Sequence, residues 1–336
     1  MKLLVLSQRD VEALLPMAEC VDVMQAALSA AARGEVVLPL RQMVWMPDRT
    51  GMIGLMPGYL GDPKSLGLKI VSIFPGNEGT SFDSHQGAVL LFDTEHGTPL
   101  VVMDASAITA IRTAAVSGAA TRALARPDAG DLAILGSGVQ AATHLEAMAA
   151  VRTLRRVRVW SRDPEHARSF ATRHAARAPV RIEALASRPA TVAGADLICT
   201  TTSSREPIVQ GTWLAAGAHL NAVGACFPTA RELDTEAVRR ARLYVDARES
   251  ALHEAGDLLI PIQEGCLTER HIVGELGELF VGRVAGRGDP SEITLFKSLG
   301  IAIEDLAAAH HVLGKARAEG RGASFAFGEP RPVHSA

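Results

Sequence analysis

"DLAILGSGVQAATHLEAMAA", Asp131 to Ala150, decides the fold. It opens on an apolar run that reads as a buried strand, passes through a glycine turn and continues with apolar and small residues at helical spacing. The turn has the form G-x-G-x-x-A, carried by Gly136, Gly138 and Ala141. Gly136 permits the tight turn, Gly138 lets an anion approach the backbone without a Cβ in the way, and Ala141 lets the helix pack closely on the strand. The helix then offers free N–H groups and the positive end of its dipole to a phosphate. Short glycine patterns are common in loops. Here a strand precedes, a helix follows, and a second strand, "VRVWS", comes at the expected distance, so a dinucleotide-binding turn outweighs a purely structural one.

Downstream, "RIEAL", "DLICTTT", "HLNAVG" and "ARLYVD" alternate with helical patterns such as "PEHARSFATRHAAR". Strands alternating with helices predict a parallel sheet covered on both faces, extending to about "EITLFKSLG". Upstream the texture differs. An amphipathic helix is predicted from Val11 to Ala32 with Gly34 as its stop, followed by the β-like runs "RQMVWMP", "GMIGLMPGYL", "LGLKIVSIFP" and the hairpin "GAVLLFDTEHGTPLVVMD". Asp104 or Ser106 caps the next helix, "AITAIRTAAVSGAATRALA". The fold class expected is therefore α/β: a Rossmann doubly wound parallel sheet over 119–302, and an α+β domain over 1–118 completed by a C-terminal helix over 303–330. The tail from Arg321 is expected to be loose.

Composition narrows the partners. The chain has 336 residues, 48% of them hydrophobic and 21% charged, enough for about two cored domains. A net charge of -3 with scattered Lys and Arg gives no field to gather nucleic acid or anionic lipid, which leaves small molecules. Cys20, Cys199, Cys226 and Cys266 form no Cys-x-x-Cys pair, so neither a metal site nor a disulfide framework is expected. The small-residue run from Ala105 to Ala125 carries Arg112 and Arg122, against a membrane span, and the start "MKLLVLSQRDVEALL" lacks a cleavage site. A cytoplasmic protein is expected.

The end of the second strand chooses between dinucleotides. An acid there bonds both ribose hydroxyls of NAD, whereas an Arg beside a hydroxyl accepts the 2′-phosphate of NADP. Ser161 and Arg162 stand at that point, with Asp163 one or two residues late, so NADPH is favoured; a shifted register would make Asp163 the acid and NADH the cofactor. Thr200 to Thr202, ending the fourth strand, are placed to line the crevice, although Thr is common in strands anyway.

Some cations sit where charge is costly. Lys69 interrupts "LGLKIVSIF" and shares a face with Val71 and Ile73, so its ammonium must be paired or lose its proton. Arg112 lies among small side chains in "ITAIRTAAVSGAA" and cannot deprotonate, so it needs an anion. Arg41 opens "RQMVWMP". An internal ion pair or a snorkelling side chain explains each one singly; together they suit a substrate carboxylate.

Through "RQMVWMP", "LGLKIVSIFPGN", "HQGAVLLFD", "ITAIRTAAVSGAATRALAR", "LGSGVQA", "NAVGACFPTARELD" and "FKSLGIAIEDLAAA" the chain resembles the ornithine cyclodeaminase and mu-crystallin family over nearly its whole length. The resemblance implies a homodimer, with the first part and last helix as a substrate and dimerisation domain. It implies Arg41 and Arg112 on the substrate carboxylate and Lys69 at the reacting centre, with Met56 shaping the pocket. It places the cofactor on Gly136, Gly138, Val139, Gln140, Ser161 and Arg162, with Ser298 and Gly300 near the nicotinamide, and Thr113 is counted among the cofactor-binding residues. Cyclodeaminases of the family carry carboxylates where this chain has Gly54 and Cys226, which removes the general base of ornithine cyclisation and leaves Cys226 to line the pocket. An NADPH-dependent reductase of imino acids is the resulting expectation. Its alternatives are a cyclodeaminase that recycles NAD, an alanine dehydrogenase-like reductive aminase, and a crystallin-like protein that binds NADPH without turnover.

Overall fold

The computed structural model describes residues 2–77, 79–178 and 180–328. Strand β1 (Lys2–Leu6) leads into helix α1 (Gln8–Leu14), whose N-terminus is closed by a capping box between Ser7 and Asp10. The helix α2 (Met17–Arg33) follows after Pro16. The single helix expected over 11–32 is thus two, because Pro16 has no N–H to continue the ladder. Strands β2 (Val36–Val37), β3 (Gln42–Trp45), β4 (Met52–Gly61), β5 (Lys64–Ile73), β6 (His85–Phe92) and β7 (Pro99–Asp104) come next. Asp104, not Ser106, caps the long helix α3 (Ala105–Leu124), its Oδ1 accepting from the N–H of Ala107 at 2.7 Å.

The chain then alternates: β8 (Asp131–Leu135), α4 (Val139–Val151), β9 (Arg156–Trp160), α5 (Pro164–His174), β10 (Ile182–Ala184), α6 (Arg188–Val192) and β11 (Leu197–Thr200). After β12 (His219–Ala222) come α7 (Thr235–Arg240), β13 (Ala241–Val245), α8 (Arg248–Glu254), α9 (Gly256–Gln263), β14 (Ile272–Glu275), α10 (Leu276–Phe280) and β15 (Ile293–Lys297). Helix α11 (Ala302–Glu319) and strand β16 (Ala323–Ala326) end the described chain.

Internal contacts divide the chain into two units. The first holds residues up to Pro16, Gly34–Thr109 and those from Ala302 on. Its sheet has the order β16-β1-β7-β6-β5-β4-β2, with β3 also on β4. It is mixed, since β1 pairs β7 in parallel and the remaining pairs are antiparallel. One face is covered by α11, for which Gly58 and Gly67 make room beside Ala302 and Leu306. The tail expected to be loose from Arg321 is ordered up to residue 328: the C-terminal helix stops at Glu319, well short of 330, and β16 zips antiparallel onto the otherwise bare edge of β1. Residues 329 and 330 of that expected helix lie outside the described residues.

The second unit holds Met17–Arg33 and Ala110–Ile301. Every strand pair in its sheet is parallel, in the order β10-β9-β8-β11-β12-β15-β13-β14. The central strands are buried end to end, as a parallel sheet with helices on both faces requires. Helix α2 groups with this unit, unlike the expected division at 118, because its buried stripe of Val21, Met24 and Leu28 packs on α4 and α10. No single helix among the described residues is long and apolar enough to cross a membrane.

Candidate active site

The glycine turn sits between β8 and α4, at the C-terminal edge of the parallel sheet. Gly136 has φ +130°, and a side chain there would run into Thr201. Gly138 is the N-cap of α4 and brings no side chain to its first turn, while a Cβ built on it would meet nothing within 4 Å. Val139, the first residue of the helix, stands 66% exposed. Gln140 contributes its carbonyl to His144 Nδ1 at 2.7 Å, and Nε2 of the same ring lies 2.9 Å from Ser117 Oγ. Burial drives the His144 imidazolium pKa down to about 4, so the ring is neutral at ordinary pH and fastens α4 to α3. The turn is tied sideways to the end of β9, where Ser137 Oγ donates to Ser161 Oγ at 3.0 Å. Asp163 caps α5, accepting the N–H of Glu165 at 2.8 Å, while Arg162 is exposed.

Beyond β11, Thr201 Oγ1 donates back to the Leu135 carbonyl at 3.2 Å. Its neighbours converge on Glu232, which the sequence did not mark. Thr200 Oγ1 and the Gly224 N–H each donate to Oε2 at 2.7 Å, and the N–H and Oγ1 of Thr202 donate to Oε1 at 2.7 and 2.6 Å. Thr200 is buried and so supports this loop from beneath. Burial and the neighbouring Asp257 push the Glu232 carboxyl up, against the pull of Lys297 and the threonine hydroxyls. Asp257 Oδ1 accepts the N–H groups of Glu232 and Leu233 at 2.8 and 2.9 Å, and Oδ2 pairs with Lys297 Nζ at 3.0 Å. Burial opposes the charge on Lys297, but Asp257, Cys226 and Glu232 outweigh it and hold the ammonium pKa above its usual value. Half-buried Cys226 donates to the Val223 carbonyl at 3.5 Å. Lys297 had a readable signal, since it interrupts the apolar run "ITLFK" as Lys69 interrupts its own.

Past Lys297 the turn carries Ser298 and Gly300. Asp246, at the end of β13, accepts the N–H groups of Leu299 and Gly300 at 2.6 and 2.7 Å on one oxygen, fixing that turn. Gly300 has φ +75°, and a Cβ on it would stand 2.5 Å from Nη1 of Arg112. The buried guanidinium therefore occupies the space that any side chain at residue 300 would need. Thr113 is buried beside it, and Ser298 Oγ is buried without a hydrogen-bond partner among the described residues. The bare N-cap, the open space over Gly138 and this orphaned hydroxyl fit a dinucleotide laid across the strand ends.

In the first unit Lys69 is 2% exposed and points to the face that α11 covers. Its Nζ lies 3.0 and 2.8 Å from the two oxygens of Asp305 on α11, and 3.4 Å from Thr109 Oγ1. Of the two ways to house a buried lysine, pairing is the one adopted. Met56 is directly opposite Lys69 on β4, and Val89 on its other side in β6. Arg41 immediately precedes β3, whose first residue Gln42 pairs with Leu55, the neighbour of Met56 in β4. A built Cβ at Gly54 would stand 3.3 Å from both Met43 Sδ and Val71 Cγ1, so apolar side chains fill that place.

Mouse ketimine reductase mu-crystallin is 43% identical over 289 residues, 85% of this chain and 88% of its own. The structure of Thermococcus litoralis Delta(1)-pyrroline-2-carboxylate reductase in complex with NADH and L-proline is 39% identical, covers 95% of this chain and 99% of that one, and superposes with a TM-score of 0.93. An archaeal alanine dehydrogenase dimer with bound NAD is 31% identical over 97% of this chain and 100% of its own, at a TM-score of 0.92. The profile of the ornithine cyclodeaminase/mu-crystallin family matches residues 1–320, and the chain belongs to that family.

Proposed function

We propose that this protein is an NADPH-dependent reductase of ketimine carboxylates, turning a cyclic imine such as pyrroline-2-carboxylate or piperideine-2-carboxylate into the L-amino acid. The observation that carries the reading is the buried ion pair of Lys69 with Asp305, inside a family whose members include named ketimine and pyrroline-2-carboxylate reductases. Bound NADPH supplies a hydride to the imine carbon. The residues of this chain have three tasks: grip the carboxylate, hold a proton at the imine nitrogen and keep water out. Arg41 and Arg112 bind the carboxylate, and the rigid seat of Arg112 on Gly300 preorganises it. Lys69, kept as an ammonium by Asp305, donates its proton to the imine nitrogen, and Met56 bounds the apolar wall beside it. Cys226 and Ser298 are assigned to the substrate and nicotinamide end.

The cofactor choice rests on the end of β9. Because Asp163 is engaged as a helix cap, the polar groups left there are Ser161 and Arg162, which suit a 2′-phosphate. Gly54, with Met43 and Val71 filling the space a carboxylate would need, favours reduction over cyclodeamination. Reductive amination of a 2-oxo acid passes through the same imine, and the archaeal alanine dehydrogenase relative supports including it.

The active form is a homodimer in this reading. The face of the mixed sheet opposite α11 carries Val44, Ile53 and Leu66 exposed, and Leu55, Leu68, Ile70 and Leu90 half-buried. An apolar sheet face of this extent suits a second copy, and the related alanine dehydrogenase is a dimer. A cytoplasmic setting belongs to the same reading, since Cys20, Cys199, Cys226 and Cys266 are thiols.

The test is a spectrophotometric screen of NADPH oxidation against cyclic ketimines and against imines formed from 2-oxo acids and amines, with a parallel NADH arm. Stoichiometric oxidation with at least one cyclic or linear imine is expected; ammonia release from ornithine without net cofactor consumption would replace the reading with a lyase.

A further inference from the structure

The C-terminal edge of β9 and β10 holds an arginine that the cofactor reading has not used. The two strands are parallel neighbours with Ala184 beside Val159, and the Leu185 N–H donates to the Val159 carbonyl at 2.9 Å. The chains therefore leave the edge side by side, one as Trp160-Ser161-Arg162 and the other as Ala186-Ser187-Arg188. They are laced together there, since Trp160 Nε1 donates to the Ala186 carbonyl at 3.2 Å and the Arg188 guanidinium lies 5.7 Å over the Trp160 ring. Nη1 of Arg188 donates to the Pro207 carbonyl at 3.3 Å, its one hydrogen bond among the described residues, so most of its five N–H donors are open to a ligand.

Among the described residues, neither Arg162 nor Arg188 has a carboxylate partner. The nearby acids are engaged elsewhere: Asp163 caps α5, and Glu183 pairs with Arg156 at 2.8 Å. Two arginines thus stand on the neighbouring chain exits at the strand end that carries Ser161, the place where the second strand of a doubly wound sheet meets the adenosine ribose. A phosphate dianion is the group whose charge and planar donor demand match them. Stacking on Trp160 holds the Arg188 fork in place before any ligand arrives.

We propose that Arg188 is a second 2′-phosphate-binding residue, acting with Arg162 to select NADPH over NADH. The proposal rests on the NADPH reading above and adds to it a residue outside the glycine turn and the end of β9. The test is equilibrium binding of NADP+, NAD+, 2′,5′-ADP and 5′-AMP to the full-length protein and to Arg188→Ala and Arg188→Lys. Arg188→Ala is expected to weaken NADP+ and 2′,5′-ADP by about tenfold or more while NAD+ and 5′-AMP change by less than about threefold, with Arg188→Lys in between. If the wild type prefers NADP+ and Arg188→Ala keeps that preference, or weakens all four ligands equally, the role of Arg188 is overturned and the Ser161–Arg162 reading stands. If the wild type does not prefer NADP+ to NAD+, both fall.

Discussion

Lys69 and Asp305 stand 236 positions apart in the chain and 2.8 Å apart in the fold. Half of that pair was readable, because a lysine inside an apolar strand has to be explained. The other half was not, since the Asp of "IAIEDLAAA" looks like any solvated acid on a helix until packing buries it. Glu232 and Asp257 were hidden for the same reason. Breaking a buried pair leaves an uncompensated charge, so Asp305→Asn is expected to lower stability by about 3–5 kcal/mol in denaturant unfolding. It should also lower kcat by about a hundredfold or more, the usual share of a proton donor. A double change to Lys69→Met and Asp305→Leu should restore much of the stability and none of the activity; recovery of both would remove Lys69 from the reaction. Gly300→Ala should displace Arg112, and an increase of about tenfold or more in KM for the imine, with NADPH affinity less affected, would report it.

The glycine turn, the parallel sheet and the hairpin were legible as elements because each rests on local pattern: period, turn residues and caps. Pro16 split one predicted helix for a local reason, its missing N–H, whereas tertiary pairing overruled local pattern at the tail, which became β16 and depends on a β1 edge at the other end of the chain. Truncation after Gly320 should expose that edge, lowering stability by about 1–2 kcal/mol and promoting aggregation visible in light scattering. The turn after β15 gives two N–H groups to one oxygen of Asp246. Asp246→Ala leaves the N–H groups of Leu299 and Gly300 without that acceptor, at a cost of about 1–3 kcal/mol each, measurable as a lower thermal midpoint.

For the molecule as a whole, buried neutral histidines set the acid limit. Burial lowers His144 to about 4 and His219 to about 3, with Arg287 and Arg152 adding to the effect on His219. Below about pH 6.5 the unfolded chain takes up these protons and the folded chain does not, so their contribution is present above that pH and is lost as pH falls toward 4 and 3. Stability should decline by about 1.4 kcal/mol per pH unit for each histidine in that window, followed by urea unfolding at stepped pH. His144→Gln should flatten part of the slope. The apolar outer sheet face makes a second prediction: Ile53→Asp or Leu66→Asp should yield monomers in light scattering. Family, fold class and reaction type were readable because they rest on long shared segments, whereas the supporting carboxylates needed coordinates. The most direct test of the central claim is the stoichiometry of NADPH consumed to L-amino acid formed from a ketimine carboxylate, in the wild type and in Lys69→Ala. One cofactor oxidised per amino acid, with turnover nearly abolished by Lys69→Ala, is the predicted result; unchanged turnover in that variant, or no imine reduced at all by the wild type, would contradict it.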